Sequence, residues 1–254
     1  MIKKGIYAWY GYDLQPKTAL EKMATVGFET TTIWWSDEFF PKETTLRMAR
    51  DLGLEVVSGH LPYAGTNALW QDGTDGEKYL AWLLSLIEDA GKAGLPILIL
   101  HPAEGPTPPP ISDIGLERFA LLLENATSAG VRLALENVRS RDHFDSLLQT
   151  FPDLGVCYDS GHNNAVTKDL SLLTPYRERV IAVHLHDNDG MKDLHQLPFE
   201  GTIDWPAEMK MLSQTAYDGP LMLESISDGS LEPDLYLQRC IDVLDRLAGY
   251  LTHS

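Results

Sequence analysis

Residues 183–205 read VHLHDNDGMKDLHQLPFEGTIDW, which gathers three histidines, four aspartates and a glutamate between an apolar run and a tryptophan. Imidazole and carboxylate groups crowded at the end of an apolar stretch suit either a bound cation or a solvated loop. The same pairing recurs along the chain as Gly59-His60-Leu61-Pro62, His101-Pro102, Glu136-Asn137, Asp159-Ser160-Gly161-His162 and Glu224-Ser225. Six of the eight histidines fall in these places, and only His143 and His253 lie elsewhere. A lone histidine at such a position is more often a hydrogen-bonded structural residue than a ligand. Glu136 and Asp159 alone would pass as helix caps. Six coincident sites weigh against that bland reading, because buried carboxylates are costly unless paired or metal-bound. Carboxylate and imidazole without thiolate suit Mn²⁺, Mg²⁺, Co²⁺, Fe²⁺ or Zn²⁺. Cys157 shares a strand face with Asp159 and reads as core filling.

Each of these residues follows a short, β-rich apolar run. The expected strands are 5–9, 29–35, 54–59, 96–100, 132–136, 155–159, 180–186 and 220–224. Several are apolar nearly throughout, as strands covered on both faces are. Between them lie amphipathic stretches. PKTALEKMATVG, KETTLRMARDLG, GEKYLAWLLSLIEDAGKAG and SDIGLERFALLLENATSAG close with glycine, the usual residue past a helix end, and the last opens with a serine cap. Helices are also expected over 142–152, 169–180, 204–217 and 232–251. Eight strands alternating with eight helices imply parallel strands with right-handed crossovers, closing as a (β/α)8 TIM barrel in one domain over residues 1–254. A doubly wound open sheet is the alternative, but no glycine-rich phosphate loop follows the first run. GPTPPP at 105–110 reads as a stiff loop rather than a domain linker. In a barrel all six polar sites share the C-terminal rim of the strands, where such folds do their chemistry.

Composition narrows the partners. Hydrophobic residues make up 44% of 254, enough for a sizeable core. The formal net charge of −17 argues against a nucleic-acid partner, since phosphate backbones are gripped by clustered Lys and Arg. Two cysteines are too few for a disulfide framework and point to a reducing compartment. MIKKGIYAWYG carries no long apolar stretch after its lysines, so no signal peptide is expected, nor is a membrane span; the expected location is cytoplasmic.

LALEN, GVCYDSGH, VHLHD followed by EGTIDW, and YDGPLMLES resemble the xylose-isomerase-like barrel superfamily, which includes sugar-phosphate isomerases, ketose 3-epimerases and endonuclease IV. The resemblance runs strand by strand along the whole chain, and EGTIDW with YDGPLMLE is its most specific part. It implies a divalent-metal-dependent sugar or sugar-phosphate isomerase or epimerase, with a small polyhydroxylated carbonyl substrate and room for a homo-oligomer. By the ketose-epimerase pattern, one ion is held by Glu136, Asp159, His184 and Glu224. The same two glutamates exchange the proton beside the carbonyl through a metal-stabilised enediolate, and His162 binds substrate. His184 is preferred to His186 by the spacing to Asp187; His186 then supports the site or contacts substrate. The family places an arginine where this chain has Gly190, so either Arg139 or Arg141 takes over that grip, or both are plain surface charge. Trp9 is the aromatic best placed to stack on a sugar, ahead of Trp34, Trp35 and Tyr63. Glu200 and Trp205 read as ordering their own loop. All nine ligands of a trinuclear endonuclease IV also have counterparts: His60, His101, Glu136, Asp159, His162, His184, Asp193, His195 and Glu224. The expectation is therefore one ion, with up to three accommodated. A multinuclear zinc phosphodiesterase and a lyase or dehydratase with enediolate chemistry stand as alternatives.

Overall fold

The computed structural model describes residues 2–251. Eight parallel strands form one sheet in the order β7-β6-β5-β4-β3-β2-β1-β8. They are β1 (Lys4–Tyr7), β2 (Thr30–Trp34), β3 (Glu55–His60), β4 (Ile97–Leu100), β5 (Arg132–Glu136), β6 (Gly155–Asp159), β7 (Val180–His184) and β8 (Leu221–Leu223). The ring closes between β7 and β8 through Leu185. Its amide donates to the Met222 carbonyl at 2.9 Å, and its carbonyl accepts from the Glu224 amide at 3.1 Å. The barrel expected from the alternation is therefore the fold.

The surrounding helices include α1 (Pro16–Val26), α2 (Lys42–Asp51), α3 (Thr74–Ala93), α4 (Asp113–Ala129) and α5 (Arg141–Thr150), then the single turn α6 (Ser160–His162), α7 (Trp205–Leu212) and α8 (Pro233–Leu251). Ser112 caps α4 as its sequence predicts, its hydroxyl accepting from the Gly115 amide at 3.2 Å. The helix expected over 169–180 is absent. Turns and a 3-10 helix over Thr174–Arg179 stand in its place. Pro175 cannot donate within a helix. The Asp169 carboxylate takes the amide and hydroxyl of Ser171, and Arg179 spends its guanidinium on the carbonyls of Leu148, Phe151 and Leu154. No helix among the described residues is long and apolar enough to cross a membrane.

Two apolar clusters divide the interior. The larger fills the layer between sheet and helices. The smaller comprises Ile97, Ile99, Ala134, Cys157 and Ala182. Side chains two apart on a strand share a face. Ile99, Ala134, Cys157 and Ala182 each lie two residues before His101, Glu136, Asp159 and His184. The small cluster is thus the barrel floor, and the polar residues are the next layer above it.

One buried acid lies behind that layer. Tyr158 on β6 donates to Glu208 on α7, and Asn163 donates to the Tyr158 hydroxyl at 3.0 Å. Burial pushes the Glu208 carboxyl up to about 7. A carboxyl raised in the fold makes stability fall as pH rises from its unfolded value towards and through the folded one. Glu208→Gln keeps the acceptor and removes the ionisation. The variant is expected to melt higher than the parent at pH 8, by up to roughly 3 kcal/mol of stability, with the gap closing towards pH 4.5. Parallel melting curves at the two pH values would contradict this assignment.

Candidate metal centre

The six strand-end sets meet at one rim. Glu136, Asp159, His184 and Glu224 each present a ligand atom, and these four atoms lie within 4.8 Å of one another. Glu136 is the hub. Its Oε2 lies 3.2 Å from His60 Nε2, 3.4 Å from His101 Nε2 and 3.5 Å from His184 Nδ1, and its Oε1 lies 3.1 Å from His162 Nδ1. Glu224 Oε2 lies 3.2 Å from His184 Nδ1. Asp159 and His184 are fully buried, whereas Glu136 and Glu224 form part of the wall of a cavity above them.

Local contacts aim each ligand. Asn137 clamps the ends of β5 and β6, donating to the Asp159 carbonyl at 2.9 Å and accepting from its amide at 2.7 Å. Asp159 also does its bland job, capping α6 by accepting from the His162 amide at 2.6 Å. His186 Nε2 stands 3.0 Å from the other Asp159 oxygen. Gly161 makes room for this, because a side-chain carbon there would overlap the His186 ring. His60 Nδ1 faces the Leu61 carbonyl at 2.7 Å, and His195 Nδ1 faces the Glu224 carbonyl at 2.8 Å. A carbonyl only accepts, so both rings are protonated at Nδ1 and turn Nε2 inward, the arrangement that fixes a ligating tautomer.

The donor set fits a divalent cation. Three carboxylates converge in a buried layer, which is costly without positive charge. Both ring nitrogens of the buried His184 lack a hydrogen-bond partner, as does Nδ1 of His162. Oxygen and imidazole donors suit a hard or borderline ion. Burial opposes a charge on His184, but Cys157, Glu224 and Glu136 outweigh it and lift the ring well above its usual value. Burial also disfavours the Glu224 anion, yet the His184 charge carries it down to about 2. Burial, helped by the neighbouring His60 and His162, keeps His101 below its usual value, and burial beside Glu136 and Asp159 pushes the Cys157 thiol up to about 12. The Cys157 sulfur nonetheless lies in a ligand-spaced group with Glu136 and His184.

A second group adjoins the first. His186, Asp193 and His195 also place ligand atoms within 4.8 Å of one another, as do His60, His101 and Glu136. His162 joins the centres, its Nε2 lying 3.1 Å from Asp193 Oδ2. His186 is fully buried and stacks on His195 with ring centroids 4.1 Å apart. It stands behind Asp159 and does not line the cavity.

The cavity is about 670 Å³. Trp9, Trp34, Tyr63 and Arg139 line it, together with His60, His101, His162, Asp193 and His195. Trp35 does not; it is buried, donating to the Leu86 carbonyl at 2.8 Å. Arg141 is paired with Asp145 at 2.6 Å and Asp169 at 3.6 Å. Gly190 has φ 75°, in the left-handed region, and is buried against Thr202.

Asp187, used in the sequence only as the acid that sets the spacing of His184, has a structural role of its own. Its Oδ1 accepts from the amides of Asn188 (2.9 Å) and Ile203 (3.1 Å), and its Oδ2 from the Phe199 amide (3.1 Å) and Trp205 Nε1 (2.8 Å). It is fully buried with both oxygens used, so it organises the loop that carries Asp193 and His195 instead of ligating. Trp205 orders this loop as its sequence suggested, while Glu200 pairs with Arg239.

A family model described as xylose isomerase-like TIM barrel matches residues 20–247. The y4fM protein of Sinorhizobium fredii is 44% identical over 96 residues, a stretch covering 37% of this chain and 31% of that protein. Among solved structures, a xylose isomerase-like TIM barrel/4-hydroxyphenylpyruvate dioxygenase fusion protein superposes with a TM-score of 0.80 at 19% identity, covering 98% of this chain and 43% of that one. A D-tagatose 3-epimerase-like protein gives 0.78 at 20% identity and covers 99% of both chains. The matched region thus spans under half of the first two relatives.

Proposed function

This chain belongs to the xylose isomerase-like TIM barrel family, and on that footing we propose that it is a divalent-metal-dependent sugar isomerase or epimerase. The observation that carries the reading is the meeting of Glu136, Asp159, His184 and Glu224 at the base of an open cavity. The named likeness to a D-tagatose 3-epimerase-like protein over full length supports it. These four residues would hold the ion, which when bound supplies Lewis acidity to a carbonyl and a neighbouring hydroxyl. Glu136 and Glu224, the two ligands on the cavity wall, are the proton carriers. One removes the proton from the carbon beside the carbonyl, leaving an enediolate. Return from the opposite glutamate inverts that carbon, and return to the adjacent carbon moves the carbonyl. Such acid–base help is worth ~10²–10⁴-fold. His162 and Arg139 hold substrate hydroxyls, and Trp9 covers a sugar face.

The adjoining groups around His60 and His101, and around His186, Asp193 and His195, favour a second reading with further ions and hydrolytic chemistry. The charge of −17 opposes a DNA groove for it. Metal-loaded protein incubated in D₂O with a panel of ketoses and keto-glycosides is expected to place deuterium on a carbon beside the carbonyl. Absence of uptake across the panel, together with cleavage of an abasic duplex at low salt, would transfer the assignment to the phosphodiesterase.

A further inference from the structure

The cavity has two unlike halves. The rim after β3 to β8 supplies the acids and imidazoles. The rim after β1, β2 and β3 supplies Trp9, Tyr12, Trp34, Phe39, Phe40 and Tyr63. Phe39 is 69% exposed and Trp9 55% exposed, although both are large apolar side chains. Exposed aromatics gathered at a cleft mouth mark a surface meant to be covered. They are also continuous with the polar half. Trp34 stacks on His60 with centroids 5.5 Å apart, meets Phe39 at 5.7 Å and meets Tyr63 at 5.8 Å, while Tyr63 stacks on His101 at 4.6 Å. Whatever sits over His60 and His101 therefore runs directly onto the aromatic wall. A volume of about 670 Å³ belongs with pockets that bury drug-sized ligands, ~300–1,000 Å³. Among the described residues the cavity wall contains four carboxylates, Glu104, Glu136, Asp193 and Glu224, and one arginine, Arg139, but no lysine. Phosphate groups are gripped by clustered cations, and this wall has the opposite balance.

We infer that the substrate is an uncharged sugar bearing a flat apolar substituent, a glycoside with an aryl-like aglycone, and not a phosphosugar. The sugar ring faces Glu136 and Glu224, and the aglycone lies between Trp9, Trp34 and Phe39. The glycosidic bond ties up the anomeric carbon, so the carbonyl sits elsewhere on the ring. This inference rests on the sugar-carbonyl reading above.

Calorimetry on Mn²⁺-loaded protein tests it, with phenyl and methyl glycosides of glucose, galactose and mannose and the corresponding sugar 6-phosphates. At least one phenyl glycoside is expected to bind about tenfold or more tighter than its methyl counterpart, since a buried ring is worth that much, and no 6-phosphate is expected to outbind its free sugar. Phe39→Ser, at an exposed position where folding is not at stake, should bring the phenyl-to-methyl ratio close to one. Three results would overturn the inference: no phenyl preference in any pair, tighter binding of a phosphate ester, or a ratio unmoved by Phe39→Ser. A dimer that becomes a monomer on that substitution, with the ratio unmoved, would make the patch a contact between two copies of the chain. Deuterium uptake separates the two claims. Phenyl preference without uptake on any ketose or phenyl keto-glycoside removes the isomerase reading and leaves the aglycone site, and uptake without the preference does the reverse.

Discussion

Glu136→Gln is expected to lower solvent-deuterium uptake by about 10³-fold or more at saturating metal, with an unchanged far-ultraviolet circular dichroism spectrum. The amide has nearly the shape of the carboxylate but cannot carry a proton at neutral pH. It also removes the anion facing His60, His101, His162 and His184 within 3.5 Å. Glu136 is 1% exposed and fixed at the end of β5, so no other carboxylate moves into its place. Metal affinity should fall with it. Raising the metal concentration therefore recovers occupancy without recovering the rate, which separates the proton carrier from the ligand. Glu224→Gln should behave alike, with a milder loss of affinity because Glu224 comes within ion-pair distance of fewer histidines, His184 at 3.2 Å and His195 at 4.0 Å. Exchange at the parental rate in both variants would remove the proposed bases.

Asp187→Asn is expected to destabilise the protein more than substitution of any proposed ligand. One carboxylate oxygen becomes an NH₂ group, and two of four buried donors lose their acceptor. Each unsatisfied donor costs ~1–3 kcal/mol, so a loss of about 4 kcal/mol is expected. For a chain of this size that lowers the melting temperature by roughly 10 °C. The loop from residue 187 to 205 should then lose amide-exchange protection ahead of the barrel, taking Asp193 and His195 with it. Glu136, Asp159 and His184 should keep their protection, since they stand on strands. A melting temperature within two degrees or so of the parent would mean the loop is held by something other than Asp187.

The strand alternation was legible in the sequence because the strands are buried over most of their length and most are bounded by glycine, proline or a cap. Parity also placed the ligands: Glu136, Asp159 and His184 follow floor residues two positions earlier, so one alternation fixes both layers. The segment 169–180 misled because Leu170, Leu172 and Leu173 mimic a helical face, while Pro175 and the Asp169 turn forbid the helix. His184 and His186 could not be separated by parity. The distinction arises where β7 ends and the chain pairs antiparallel between Asp187 and Gln196, sending His186 behind Asp159. Asp187 was illegible for a different reason. Three of its four partners are backbone amides, which leave no trace in side-chain patterns; only Trp205 pointed to it. Of the aromatics expected near the mouth, Trp9, Trp34 and Tyr63 line the cavity, whereas Trp35 is buried away from it.

Anomalous diffraction from crystals grown with Mn²⁺ tests the central claim most directly. The strongest peak is predicted between Glu136, Asp159, His184 and Glu224, at coordinating distance of about 2.0–2.3 Å from all four. A map with its strongest peak away from these side chains, or with none at saturating Mn²⁺, would contradict it.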